Sequence, residues 1–428
     1  MAAIVLGLAI LIASPWWLLI AALIPAASLI RRTRVGQQAL AVTRVGIATI
    51  PQRLGSCSTV VLGVGGVVGV WVALLSMSTG FEATLEKTGA DDTAIVLRAG
   101  ARAEIYSVVD HSSVVAIETA RQVLRNDRGQ PIADPELVVI TSIPKRSSGV
   151  DANIEIRGVG EHAWELHPGI KLISGRKPIR GMPELIAGKG AREQFTGLDL
   201  GSTVRLNGQA WTVVGAFDSG DAHTSEVWGD AAVVASAYRR GSGITSITVR
   251  LADAAAFDAF KSSLTSDPRL KVEVRTTRDY YTEQSRGLAR MVGRIGTSVA
   301  LIMAVGATLA TANTMSVAVA ARPQEIATLR SLGFSLAPIV VAVLLETMLL
   351  ALLGGVLGTA IAWAIFDNWT ASTSGENYSQ VVFAFKVSPG LLGSGLKWAL
   401  TTGFIGGVLP ALRAASMPIA AGNGIYRA

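Results

Sequence analysis

Hydrophobic positions in this chain follow two regimes. In one they run almost unbroken; in the other they alternate with polar residues in short bursts. Five stretches belong to the first: residues 2–30, 54–78, 295–320, 337–366 and 391–412. Crossing a hydrocarbon layer takes about 20 mostly apolar residues in a helix. A helix in a soluble core rarely stays apolar on every side for that long. The pattern predicts a membrane α-helical bundle: four core transmembrane helices and one extra N-terminal helix. In the first stretch Pro15 and Pro25 read as tolerated breaks, and Trp16 and Trp17 fall mid-segment. That stretch lacks a basic leader and its arginines follow it, so it reads as a span rather than a signal peptide.

The second regime occupies residues 80–290, where short strand-like runs alternate with helix-like ones. Residues 93–97, 136–142, 154–159, 184–188, 203–206, 211–217, 244–251 and 270–275 read as strands. Residues 108–120 and 254–263 read as helices. Asn207-Gly208 between two of the strands is a hairpin turn signal. The run 244–275 reads as a β-α-β unit. The prediction is a large α+β domain, in two lobes, inserted between core spans one and two. The organisation is then 1–31, an extra transmembrane segment; 32–53, an amphipathic basic elbow at the cytoplasmic interface; 54–79, a span; 80–290, the insert; and 291–428, three further spans.

Charge sharpens the topology. The insert is close to neutral, so the formal excess of +7 lies in the apolar parts of the chain. Arg31, Arg32, Arg34, Arg44 and Arg53 lie between the first two stretches, Arg322 and Arg330 between the third and fourth, and Arg413 and Arg427 after the fifth. By the excess of arginine in cytoplasmic loops these three places are cytoplasmic. The N-terminus and the insert are then outside and the C-terminus inside. Placed beside spans, this basicity signals topology and lipid contact rather than nucleic-acid binding. Only 16% of residues are charged and the mean hydropathy is +0.45, as expected of a chain partly solvated by lipid.

Candidate chemistry is sparse. One cysteine, Cys57, excludes a disulfide framework and a cysteine metal site. His111, His162, His167 and His223 lack ligand spacing and read as surface or packing residues. No catalytic residue, metal site or cofactor site is expected. No G-x-x-x-x-G-K-[ST] occurs in these 428 residues, so any ATP chemistry is expected from a separate polypeptide. Gly65 and Gly69 form a G-x-x-x-G that suits close helix packing. Glu346 and Asn313 are intramembrane polar residues, and a carboxylate in hydrocarbon calls for a partner. Between two spans, residues 320–334 (AARPQEIATLRSLGF) carry Arg322, Glu325 and Arg330 with an apolar edge of Ile326, Leu329 and Leu332. A short helix of this kind suits docking to another protein.

At this loop the chain resembles the FtsX/MacB-type ABC permease family. The resemblance rests on NTMSVAVAARPQEIATLRSLGFS (313–335), on Glu346 ahead of Gly354-Gly355, and on GGVLPALRAASMP with Pro410 and Arg413. In the insert it rests on residues 172–217, with a Gly-Arg, a short strand, a Leu-Gly and a Val-Val-Gly strand. The extra N-terminal segment and the ending AAGNGIYRA depart from the family pattern. The resemblance implies a permease subunit in a bacterial inner (plasma) membrane. It implies a separate ABC ATPase as partner, a homodimer or heterodimer of permeases, and a membrane-fusion adaptor outside. Arg322, Glu325, Ile326, Leu329, Arg330 and Gly333 would then form the segment that couples to the ATPase. ATP-driven motion would pass through the spans to the outer domain, a mode called mechanotransmission, in export or extraction. The alternative is an FtsX-like signalling subunit that activates a cell-wall hydrolase.

Overall fold

The computed structural model describes residues 32–375 and 378–416, together with positions 15 and 28. The expected first span, 2–30, otherwise lies outside the described residues. In chain order come α1 (Arg34–Ala48), a 3-10 turn (Ile50–Arg53), α2 (Leu54–Thr88), β1 (Thr93–Arg98), α3 (His111–Glu118), β2 (Ala133–Pro144) and β3 (Asp151–Val159). There follow α4 (Ala163–Leu166), β4 (Lys171–Gly175), β5 (Glu184–Gly188), α5 (Lys189–Gln194), β6 (Thr203–Leu206), β7 (Gln209–Asp218), β8 (Val227–Asp230) and α6 (Ala231–Ala237). The described residues end with β9 (Ser246–Arg250), α7 (Phe257–Thr265), β10 (Val272–Thr276), α8 (Thr277–Ala320), α9 (Pro323–Ser331), α10 (Leu336–Phe366), β11 (Thr370–Ser374), β12 (Gln380–Ala384) and α11 (Pro389–Ala415).

The contacts divide the chain into two compact units. The helical unit holds the residues before Ser78, the segment Met291–Asp367 and the residues from Lys386 on. Among the described residues, three helical segments are long and apolar enough to cross a membrane: Ile50–Thr88, Thr277–Ala320 and Leu336–Phe366. The fourth expected core span forms α11, a 27-residue helix that carries Lys397 and many Gly, Ser and Thr positions and is not among those three. Helix α1 starts at Thr33, whose hydroxyl accepts from the Gly36 amide at 3.1 Å and so satisfies one of the free N–H groups of the first turn.

Small residues let the helices of this unit approach backbone to backbone. A Cβ placed on Gly65 would lie 2.9 Å from the Gly354 carbonyl oxygen, and one on Gly69 would lie 3.3 Å from that of Gly358. On the other side of α10, Gly355 faces the Ala399 methyl group. Thus α10 is gripped between α2 and α11. Around this contact Val60, Val64, Val68, Trp71, Leu350 and Trp398 form the core, with the Trp71 and Trp398 rings 5.8 Å apart. Cys57 is buried in the same cluster.

The mixed unit comprises Ser78–Arg290 and, in addition, the hairpin segment Asn368–Phe385. Its ten-stranded sheet runs β10-β1-β9-β2-β3-β8-β5-β7-β4, with β6 pairing β7. β2 is the seam. Its first residues pair with β9 and its later residues with β3, so one strand serves two halves. One half packs α3 and α7 over Ala94, Val96, Ile117, Phe260 and Val274. The other packs α5 and α6 over Leu137, Ile156, Leu185, Trp211 and Val234. The β9-α7-β10 run is a split unit, because β1 lies between its two strands and pairs antiparallel with each. The β6–β7 turn is at Asn207-Gly208, with φ of 46° and 83°, both in the left-handed region that such a two-residue turn requires. β11 and β12 form a separate two-stranded antiparallel sheet.

Candidate functional site

The loop between α8 and α10 folds around α9. Arg322 precedes the helix, Pro323 occupies its first turn, where a missing N–H is harmless, and Glu325 follows. Gly333 ends it with φ of 89°. The Gly333 amide donates to the Arg330 carbonyl and the Phe334 amide to the Leu329 carbonyl, each at 3.1 Å. That pair of bonds is a Schellman closure, which demands a left-handed residue and explains the glycine. Ile326 is the anchor, buried with Val319, Ile339 and Ala414. Gln324, Glu325 and Thr328 face outward, while Leu329 and Arg330 are half-buried.

Beside α9 lies a cavity of about 400 Å³, bounded by α1, the end of α8, α9 and the start of α10. Val42, Met315, Ile326, Leu329 and Val343 give it apolar walls. At its polar end stands Glu346, whose side chain is only 6% exposed. One oxygen, Oε1, accepts from Arg53 Nη2 at 3.0 Å and from Arg322 Nη2 at 3.1 Å. Arg53 Nη2 also donates to Thr49 Oγ1 at 2.9 Å and to the Gly46 carbonyl at 3.3 Å. Gly46 leaves the carboxylate its room, since a Cβ there would lie 3.0 Å from Glu346 Oε2. The last turn of α1, the 3-10 turn, the start of α9 and the third turn of α10 therefore meet at a single carboxylate.

The residues expected to act together divide accordingly. Arg322, Glu325, Ile326, Leu329 and Glu346 all border one cavity, and Gly333 closes the helix that carries three of them. Asn313 is exposed on α8 and does not border that cavity. Gly65 and Gly69 lie in the α2–α10 contact. Sequence reasoning missed Gly46, and it read Arg53 only as a topology signal. A carboxylate in an apolar run did indicate that a polar partner was needed, but not that it would be a pair of arginines, nor which ones.

The mixed unit holds a second charged grouping, inside its sheet. Arg157 on β3 is 2% exposed and donates to Glu104, Glu136, Glu155 and Glu226 at 2.6 to 3.2 Å. Ser246 Oγ donates to Glu104 at 2.6 Å, and Trp228 Nε1 to Glu226 at 2.7 Å. His223, fully buried, sits 3.1 Å from Asp221. Burial opposes its charge, but the Asp221 and Glu226 carboxylates outweigh burial and push its pKa up to about 9. Burial likewise opposes ionisation of Glu136, and Arg157 outweighs it, holding that carboxyl at about 2. Asp134 is carried up to about 8 by burial and then by the neighbouring Glu136 charge. With Glu104, Glu136, Glu155 and Glu226 all bonded to one guanidinium, the grouping is built to fasten β2, β3 and the residue before β8 together. Among the described residues no three His, Cys, Asp or Glu side chains are placed to hold a metal ion.

Comparison with known proteins gives this architecture its family. Residues 56–267 match the MacB-like periplasmic core domain, and residues 297–419 match the FtsX-like permease C-terminal domain. The chain belongs to the FtsX/MacB-type family of ABC transporter permeases. It is 24% identical over 296 residues to the macrolide export ATP-binding/permease protein MacB of Burkholderia pseudomallei (strain 1710b), a match covering 64% of this chain and 44% of that protein. It is 23% identical over 241 residues to the MacB of Burkholderia thailandensis, covering 52% and 36%. The chain thus spans less than half the length of these curated relatives. Among solved structures it is similar to the periplasmic region of MacB from Actinobacillus actinomycetemcomitans, at 16% identity and a TM-score of 0.35, over 45% of this chain and 92% of that one. It is also similar to the extracellular domain of the noncanonic ABC-type transporter YknZ from Gram-positive bacteria, at 15% identity and a TM-score of 0.32, over 43% and 100%.

Proposed function

We propose that this chain is the permease part of an ABC-type export or extraction system. An ABC ATPase contributed from outside these 428 residues binds α9, and its ATP-driven motion passes through the spans to an extracytoplasmic insert. The observation that carries the reading is α9 itself. It is a nine-residue helix between two span-length helices, held by one buried anchor, Ile326, with Gln324, Glu325 and Thr328 left outward. A helix held that way presents a surface to a partner and passes force on that surface into α8 and α10. The arginine distribution supports placing α1 and α9 on the cytoplasmic side and the insert outside. Residues 1–31 would form the additional span, and the permease would work as a homodimer or heterodimer with an outer adaptor. The match of the insert to a MacB-like core model favours export over the signalling role of an FtsX-like subunit.

The test is recovery of the native complex. The wild-type chain, purified from its own membranes, should bring down an ABC ATPase identifiable by mass spectrometry. A chain with Arg322, Glu325 and Arg330 all changed to Ala should not. Equal ATPase recovery with both chains would refute α9 as the docking segment, and no ATPase with either would refute the reading as a whole.

A further inference from the structure

We propose that Glu346 is a two-cation latch: it holds α9 through Arg322, while Arg53 keeps the carboxylate neutralised when Arg322 lets go. The inference rests on reading α9 as the moving, ATPase-coupled segment.

A buried ion pair is hard to pull apart. Pulling one partner away ordinarily leaves an uncompensated charge in a medium that solvates it poorly, and this makes a single buried pair a rigid fastening. Here the acceptor has two donors arriving from separate elements. Arg322 leads directly into α9, whereas Arg53 ends the 3-10 turn that joins α1 to α2. Both bonds end on Oε1, at 3.1 Å and 3.0 Å. Arg53 is itself tethered to Thr49 Oγ1 and the Gly46 carbonyl, so it remains in place when Arg322 departs. The Arg322 side chain, 18% exposed, reaches the cavity wall and can be solvated as it leaves. The cavity of about 400 Å³ against α9 supplies the space into which the helix can shift; its walls are largely apolar, with Thr43, Gln324, Glu325 and Thr328 as polar lining. One arginine thus acts as the hinge pin and the other as the release. Glu346 is a positioning residue: it touches no substrate and acts through α9.

The two arginines should therefore behave differently, which a merely stabilising ion cluster would not require. The experiment uses the full chain in lipid nanodiscs, with Cys57→Ser and spin labels at Ala41→Cys on α1 and Thr328→Cys on α9. Both labelled positions are exposed. Double electron–electron resonance reads the separation. The parent should give one distance. Arg322→Gln should add a second, longer-distance population, and Arg322→Lys, which keeps a cationic donor, should return the single distance. Arg53→Gln should leave the distribution as in the parent, because Arg322 still holds Glu346. Glu346→Gln should give at least as large a second population as Arg322→Gln. The latch is overturned if Arg322→Gln matches the parent, or if Arg53→Gln frees α9 as fully as Arg322→Gln. The measurement needs neither ATPase nor nucleotide. Unchanged distances would sink the latch while leaving ATPase recovery untouched, whereas failure to recover an ATPase would refute the coupled reading on which the latch rests, whatever the distances.

Discussion

Changing Arg157 to Ala should unfasten the insert at its seam. The guanidinium makes six hydrogen bonds to four carboxylates, all of them at least nine-tenths buried. Removing one partner of a single buried ion pair costs about 3–5 kcal/mol, because the other partner is left charged and poorly solvated. Here the loss strands carboxylates on β2, on β3 and before β8 at once, so that range is a lower bound. A domain of this size has only about 5–15 kcal/mol in total. At about 2–4 °C per kcal/mol, the unfolding midpoint should fall by about 6–20 °C. Hydrogen–deuterium exchange on the full chain, followed with temperature on peptides from β2 and β3, isolates the insert from the helices. Adding Glu104→Gln to Arg157→Ala should recover part of the loss, since it removes one of the stranded charges. If Arg157→Ala leaves exchange in β2 and β3 at the wild-type level, the carboxylates are not held by that guanidinium, and the account of the seam is wrong.

Two other outcomes follow from the geometry. Gly358→Val would push its Cβ into the Gly65 backbone carbonyl, which has no rotamer with which to yield. It should destabilise the α2–α10 contact by about 1–3 kcal/mol or more, seen as a lower melting temperature in detergent, and an unchanged melt would refute the close packing. The insert should also lose stability as pH rises, from about 3.8 to about 8 through Asp134 and from about 6.5 to about 9 through His223. The folded pKa values of His223, about 9, and Asp134, about 8, lie above their ordinary values of 6.5 and 3.8. The folded state therefore holds more protons than the unfolded chain, and the stability present at low pH is lost as these groups deprotonate. His223→Gln should lessen the pH dependence of the insert's exchange protection between about 6.5 and about 9, leaving the Asp134 part; an unchanged slope would remove His223 as a source.

What the sequence reveals here depends on the distance over which an interaction is specified. The Asn207-Gly208 hairpin, the long apolar runs and the Schellman glycine at 333 are written in adjacent residues, and each is legible. The G-x-x-x-G at Gly65 and Gly69 reveals a close-packing face but not that Gly354 and Gly358 fill it. Glu346 reveals a need for a polar partner, but one of the two arginines that fill it is 293 residues away. β4 went unrecognised because it is a largely exposed edge strand without the apolar alternation that marks a half-buried one. The hairpin β11–β12 went unrecognised for a related reason: Thr370–Ser374 is all Thr, Ser and Ala.

That hairpin also accounts for the most misleading stretch of the chain. In β3 the alternation of Ile154, Glu155, Ile156 and Arg157 places the two isoleucines inward and, by the usual rule for a half-buried sheet, the two charges in water. All four are buried. Alternation sorts residues between two faces; it says nothing of what covers the second face. Here part of the cover comes from the far end of the sequence. Ser379 donates to Glu155 Oε2 at 3.3 Å, the Val382 amide donates to Ser225 Oγ at 2.8 Å, and Lys145 Nζ donates to Gln380 Oε1 at 3.0 Å. Once that face is closed, Glu155 and Arg157 can remain charged only by bonding to each other and to Glu104, Glu136 and Glu226. The cluster is thus enclosed partly by the hairpin and partly by the start of α8, where the Tyr280 hydroxyl accepts from the Glu104 amide at 3.1 Å, and a strand read alone could not have disclosed it.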